Sequence, residues 1–257
     1  MEETKLVSLE IKDHIAVITL DHPPANAWNL ALANAFEGAY DQLAADPEVR
    51  VMVISGGQGK CFSAGFDVSD AKNSAVTSPK VRELWRRLDR SEKPLICALN
   101  GHALGGGLEL ALSCHFRVML DNPQARLGLT ELNLGIIPGW GGTQRLARVV
   151  GRARALDMIL FSRRLTPAEA LQIGLVDRLV DGGHFLAEVM AMAQALAERP
   201  PVAVRWVLKA FADGMYEGLD AGLRSEADGA AAVRDTEDRQ EGFAAFLEKR
   251  PPRFKGR

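Results

Sequence analysis

Three glycine-bearing loops hold the residues whose types and spacing could do chemistry: GGQGK at 56–60 running into CFSAGFD at 61–67, ALGGGLEL at 103–110, and the stretch 135–142 that ends PGWGG. A phosphate-binding loop is the first chemistry to weigh. Lys60 is followed by Cys61 instead of Ser or Thr, and the glycine that such a loop needs five positions before Gly59 is missing. The triplet Gly105, Gly106, Gly107 lacks the third glycine of G-x-G-x-x-G. Ser63 precedes Ala64 and Gly65, but Cys61 occupies the position where a nucleophile elbow requires glycine, so Ser63 is a poor nucleophile. A pair of backbone donors remains. Glycines allow the main chain to approach a ligand closely, and a helix starting at the triplet would direct free N–H groups at developing negative charge, as on a polarised thioester carbonyl.

The elements that must position these loops are legible from periodicity. Val7, Leu9 and Ile11 alternate with polar residues, Asp13 and His14 supply a turn, and IAVITL at 15–20 is an apolar, β-branched run, which together predict an opening hairpin with a buried second strand. After the Pro-containing loop 21–29, Leu32, Phe36, Tyr40 and Leu43 mark one face of a helix, as do Val81, Leu84, Trp85 and Leu88 further on. VMVIS at 51–55, LICAL at 95–99 and FRVML at 116–120 read as buried strands, the first two leading into glycine loops. Alternating strands and helices imply an α/β fold with a parallel sheet, whose strand ends are where ligands bind. From Thr143 onward the pattern is almost wholly helical, with starts at Pro167 and at Pro200–Pro201 and a stop at Gly174.

The 257 residues carry 31 basic against 33 acidic side chains, and 24 of them are glycine. A near-neutral charge and sparse aromatics argue against nucleic acid as a partner. Cys61, Cys97 and Cys114 make an odd count without C-x-x-C spacing, so reduced thiols in the cytoplasm are expected. His14, His22, His102, His115 and His184 show no metal spacing, and no metal is expected. Residues 1–11 include Glu2, Glu3 and Glu10 with no apolar core of signal length, and no apolar run reaches membrane-spanning length; neither export by a signal peptide nor a membrane span is expected. The tail EKRPPRFKGR at 248–257 reads either as a solvated basic end or as a phosphate contact.

The sequence resembles the crotonase, or enoyl-CoA hydratase/isomerase, superfamily. The motifs that carry the resemblance are ANA at 25–27, GKCFSAGFD at 59–67, KPLICALNGHALGGGLELAL at 93–112, LGLTELNLGIIPGWGGTQRL at 127–146 and EGFAAFLEKRPPRFKGR at 241–257. The resemblance implies a crotonase (ClpP/crotonase-like) fold, with a ββα-repeat catalytic core over 1–197 and a helical trimerisation region over 198–257. It also implies an acyl-CoA thioester substrate, a homotrimer or dimer of trimers, and no cofactor beyond the CoA of the substrate. By the same resemblance Phe66 and Gly106 supply the oxyanion-hole N–H groups, and Glu109 and Glu131 match the two catalytic glutamates: Glu109 the one that activates water, Glu131 the one that exchanges the C2 proton. Gly139 matches a residue whose N–H helps hold the water. Ala25, Ala27, Lys60, Ala64, Phe66, Asp67, Val68, Ser69 and Lys249 match CoA-contacting positions, Lys249 from a neighbouring subunit, while Asp67 reads as a helix cap more than as a catalyst. His102 would sit near the thioester without a chemical role. Trp140, where a smaller residue is common, and Trp28 are expected to shape the acyl pocket. The reaction implied is hydration of a 2-enoyl-CoA to a 3-hydroxyacyl-CoA. Rival reactions are Δ3,Δ2-enoyl-CoA isomerisation and a specialised acyl-CoA dehydration, since FSAGFD with the C-terminal FKGR also resembles carnitinyl-CoA dehydratases. An RNA-binding relative is a more distant alternative.

Overall fold

The computed structural model describes residues 5–257; residues 1–4, the start of the acidic N-terminal segment, lie outside the described residues. Strands β1 (Val7–Lys12) and β2 (Ile15–Leu20) form the expected hairpin, with Val7 opposite Leu20. Asp13 and His14 both lie at positive φ (50° and 65°), the turn geometry whose twist matches that of the flanking strands. Helix α1 (Leu30–Ala45) starts where Asn29 accepts a hydrogen bond from the Leu32 N–H, and it buries Leu32, Phe36, Tyr40 and Leu43.

Three ββα units follow. Strand β3 (Val51–Ser55) enters the main sheet, β4 (Cys61–Ser63) a small second sheet, and α2 (Ser74–Asp89) covers them. β5 (Leu95–Leu99), β6 (His102–Leu104) and α3 (Gly106–Leu112) repeat this, as do β7 (Phe116–Leu120), β8 (Leu127–Gly128) and α4 (Gly142–Val150). The main sheet is completed by β9 (Arg178–Val180) in the order β1-β2-β3-β5-β7-β9, and the small one runs β4-β6-β8, all parallel. Repeated ββα units are what the resemblance to the crotonase superfamily implies.

The centre of the main sheet is buried on both faces, which is why β3 and β5 read as unbroken apolar runs. Met52, Ile54, Cys97 and Leu99 face a core made with α1 and α2; Val51, Val53, Ile96 and Ala98 face α7 (Phe185–Ala197), through Phe185, Val189 and Ala193. In the first core Trp85 meets Trp28 edge to face at 4.7 Å and Phe36 at 5.8 Å. Trp28 is therefore no part of an acyl pocket, a correction to the sequence reading: it is wholly buried, and its Nε1 donates to Ser63 Oγ at 3.1 Å. Ser63 Oγ in turn donates to Asn26 O at 2.7 Å and has no access to a substrate.

Two further helices, α5 (Arg152–Leu160) and α6 (Pro167–Gln172), precede β9. This strand is the one exception in a region that reads as almost wholly helical after Thr143, and three residues are too few to show a period. It is fixed by the flanking Asp177, which accepts from the Arg117 N–H at 2.7 Å and pairs with its guanidinium. Beyond α7 come α8 (Pro201–Glu217), α9 (Leu219–Ala232) and α10 (Glu237–Glu248). The basic tail folds back on α10: Asp238 accepts from the Lys255 and Gly256 N–H groups, and Arg250, Lys255 and Arg257 pair with Glu241 and Glu237. These cations are internally matched, which neither sequence reading of the tail anticipates. Among the described residues no helix is long and apolar enough to cross a membrane.

Replacing Trp85 by Ala removes the ring shared by the two aromatic contacts, and unfolding in urea is expected to show a loss of about 3–5 kcal/mol.

Candidate active site

Parallel pairing of β4 with β6 brings the ends of both strands, and the loops after them, to one edge. The segment after β4 is held by the 25–28 loop: Ala64 N–H donates to Ala25 O (2.9 Å), Trp28 N–H to Gly65 O (2.7 Å) and Asp67 N–H to Trp28 O (2.9 Å). Because successive N–H groups of an extended segment point to opposite sides, Phe66 N–H faces away from this bridge. Among the described residues neither Phe66 N–H nor Gly106 N–H donates to another protein group. The two loops touch. Gly65 has φ of +89°, and a Cβ there would lie 2.8 Å from Gly106 N; a Cβ on Gly106 would lie 2.1 Å from the Trp140 ring. Neither position has room for a side chain.

Glu109 lies on α3 three residues after Gly106, hence on the same helix face. It is 1% exposed, and its Oε1 accepts from Trp140 N–H (2.8 Å) and Gly142 N–H (2.7 Å). Burial pushes its pKa up from 4.5 to about 7, with the charge of Glu131 adding to the rise, while the Gly142 and Trp140 N–H groups and Arg145 oppose it. Glu131 opens a short 3-10 turn after β8; burial raises its pKa as well, and its Oε2 is buried with no protein partner among the described residues. Both carboxyl groups face one cavity of about 500 Å³, whose lining also includes Ala64, Phe66, Val68, Gly106, Gly139 and Trp140.

The remaining sequence candidates lie outside that lining. Ala25 and Ala27 belong to the loop that holds 64–67. Asp67 caps the turn that follows, accepting from Ser69 N–H and Oγ. Lys60 is exposed in the turn before β4, and Lys249 is exposed in left-handed conformation at the end of α10. His102 is half-buried, its Nδ1 accepting from the Arg126 N–H at 3.0 Å. Among the described residues no cluster of His, Cys, Asp and Glu is placed to hold a metal.

Sequence reasoning misses the clamp on Glu109. Gly142 N–H is one jaw, and the G-G before TQR at a helix start carries the same signal as the triplet at 105–107. The support behind the clamp leaves no local signal: Arg145 Nη1 donates to Trp140 O at 2.6 Å, and Arg145 Nε pairs with Asp89 Oδ1 at 2.8 Å across 56 residues of chain. Arg82 Nε likewise holds Gly139 O at 3.0 Å.

Residues 10–257 match the family model described as Enoyl-CoA hydratase/isomerase. A Bacillus subtilis (strain 168) protein named as a probable enoyl-CoA hydratase is 38% identical, over 97% of this chain and 98% of its own length. The 2,3-dehydroadipyl-CoA hydratase of Escherichia coli (strain K12) is 40% identical, over 96% and 97%. A crystal structure of an enoyl-CoA hydratase from Bacillus anthracis superposes with a TM-score of 0.93 at 35% identity, over 98% of this chain and all of that one. The chain belongs to the enoyl-CoA hydratase/isomerase family.

A buried carboxyl with a raised pKa favours folding when protonated. Its stabilising effect is complete below the unfolded value near 4.5 and declines as pH rises toward about 7, above which the folded state carries the full cost of the charge. Glu109→Gln keeps the Oε1 acceptor and removes that charge. Urea unfolding at several pH values is expected to show the variant gaining on wild type by about 3 kcal/mol between pH 4 and pH 9.

Proposed function

We propose that the protein catalyses the reversible addition of water to a 2-enoyl-CoA, giving a 3-hydroxyacyl-CoA, as a hydro-lyase with no cofactor beyond the CoA of its substrate. The observation that carries this reading is the convergence, in one cavity, of two unengaged N–H groups with two buried carboxyl groups. The thioester oxygen accepts from Phe66 N–H and Gly106 N–H, which stabilise the enolate-like charge that builds as C3 is attacked. Glu109 Oε1 is occupied by the clamp, so Oε2 takes the proton from the attacking water, with Gly139 N–H helping to hold that water. Glu131 delivers a proton to C2 and regains one in the reverse direction. A carboxyl ionising near 7 is suited to both directions at neutral pH.

The CoA moiety follows Ala25, Ala27, Ala64, Phe66, Asp67, Val68 and Ser69, with Lys60 and a neighbouring subunit's Lys249 near its phosphates. We assign the helices over 198–257 to assembly as a homotrimer or dimer of trimers; Phe211, Leu219 and Phe246 are 72%, 73% and 80% exposed on them, a surface that calls for a partner. Three free thiols fit a cytoplasmic setting. Trp140 packs against Phe66, 6.2 Å between ring centroids, and shapes the acyl side of the cavity. Isomerisation of the double bond needs one acid to carry a proton between carbons, and the second buried carboxyl favours hydration over it. RNA binding is disfavoured by a net charge of −2.

Loss of enoyl absorbance with crotonyl-CoA tests the reading. Glu109→Gln and Glu131→Gln are each expected to lower kcat by at least about 100-fold; full activity in either variant would overturn the paired-acid mechanism. Inactivity of wild type on crotonyl-CoA with turnover of another enoyl thioester would keep the reaction and move the substrate.

A further inference from the structure

Helix α2 presents a polar edge to the cavity that the hydration chemistry does not use. Ser74, Ser78 and Arg82 recur every four residues, so they share one helix face, and all three line the cavity. Beyond Glu131, the wall contributed by the 134–137 segment is apolar, with Leu134, Ile136 and Ile137. Arg82 is the only basic side chain in the lining found among the described residues, and it pairs with no carboxylate there. Its Nε is committed to Gly139 O at 3.0 Å, which ties the guanidinium to the turn next to the Glu109 clamp and leaves both Nη groups for another acceptor.

An alkyl tail would make no use of this edge and would take water from an arginine without replacing it. A carboxylate on the tail would meet a planar fork of donors that matches its own geometry, with two hydroxyl groups on the same helix face. The cation would also offset the negative charge that Glu109 and Glu131 present to an anionic substrate. Resting on the hydratase reading above, we propose that the cavity takes enoyl-CoA substrates whose acyl chain ends in a carboxylate, and that Arg82, with Ser74 and Ser78, is the specificity-determining group that recognises it.

Two pairs of six-carbon probes with the same CoA test this. Adipyl-CoA and hexanoyl-CoA are compared by calorimetric binding, and hex-2-enedioyl-CoA and hex-2-enoyl-CoA by kcat/KM, in wild type and Arg82→Gln. Wild type is expected to prefer the carboxylate member at least tenfold in both assays, the preference shrinking with added salt, and Arg82→Gln to reduce that ratio to near one. A wild-type preference for the alkyl member, or none, would overturn the proposal. A variant that weakens both members by the same factor would overturn it too, because a contact to CoA or a purely structural bond to Gly139 would do that. The hydratase reading fails separately: no turnover of any enoyl thioester would remove it, while the binding ratio would still report on the carboxylate.

Discussion

A single carboxylate oxygen organises this site. Glu109 Oε1 is buried and receives two main-chain N–H groups, from Trp140 and Gly142, that belong to a segment more than thirty residues away. Burying a carboxylate costs several kcal/mol, and hydrogen bonds to a charged group return about 1.5–3 kcal/mol each. The two bonds offset much of the cost without cancelling it, and the remainder is expressed as a proton affinity shifted to near neutrality. An acid held this way is fixed in place and still able to exchange a proton.

The clamp dictates the design around it. Both N–H groups can point at one oxygen only because the chain turns sharply at Gly141, at φ of +108°, and because Gly142 has no Cβ; one would lie 3.0 Å from that same oxygen. Arg145 reaches back to hold Trp140 O, and Asp89 at the end of α2 holds Arg145, so two ββα units meet behind an acid that a third one carries. Trp140 then serves twice: its N–H grips Glu109, and its ring lies so close to Gly106 that only glycine fits beneath it. The proposed oxyanion donors and the acid are thereby kept in register by one residue, through its ring and its main-chain N–H.

Much of this was legible in the sequence for physical reasons that also limit the reading. Strands β3 and β5 are buried on both faces and show as apolar runs, and the faces of α1 and α2 show as 3.6-residue spacing. Glycines at 65 and 106 stand out because the main chain there has no space for a side chain. Contacts without a period leave no trace. The three-residue β9 is specified by Arg117 and Asp177, the clamp's support by Asp89 and Arg145, and the burial of Trp28 by how α1 and α2 close over it. The carboxyl groups could be named from the motifs, but that they face one cavity, and that a polar edge of α2 faces it with them, follows only from the fold.

The state of Glu109 itself is the most direct check on this account. In protein labelled with 13C at glutamate carboxyl carbons, the Glu109 resonance, assigned by its disappearance in Glu109→Gln, can be followed through a pH titration. A midpoint near 7 is predicted for a buried carboxyl that two N–H groups only partly stabilise. A midpoint at or below the ordinary 4.5 would contradict it, showing that the clamp or solvent cancels the cost of burial and that Glu109 is a permanently ionised structural anchor.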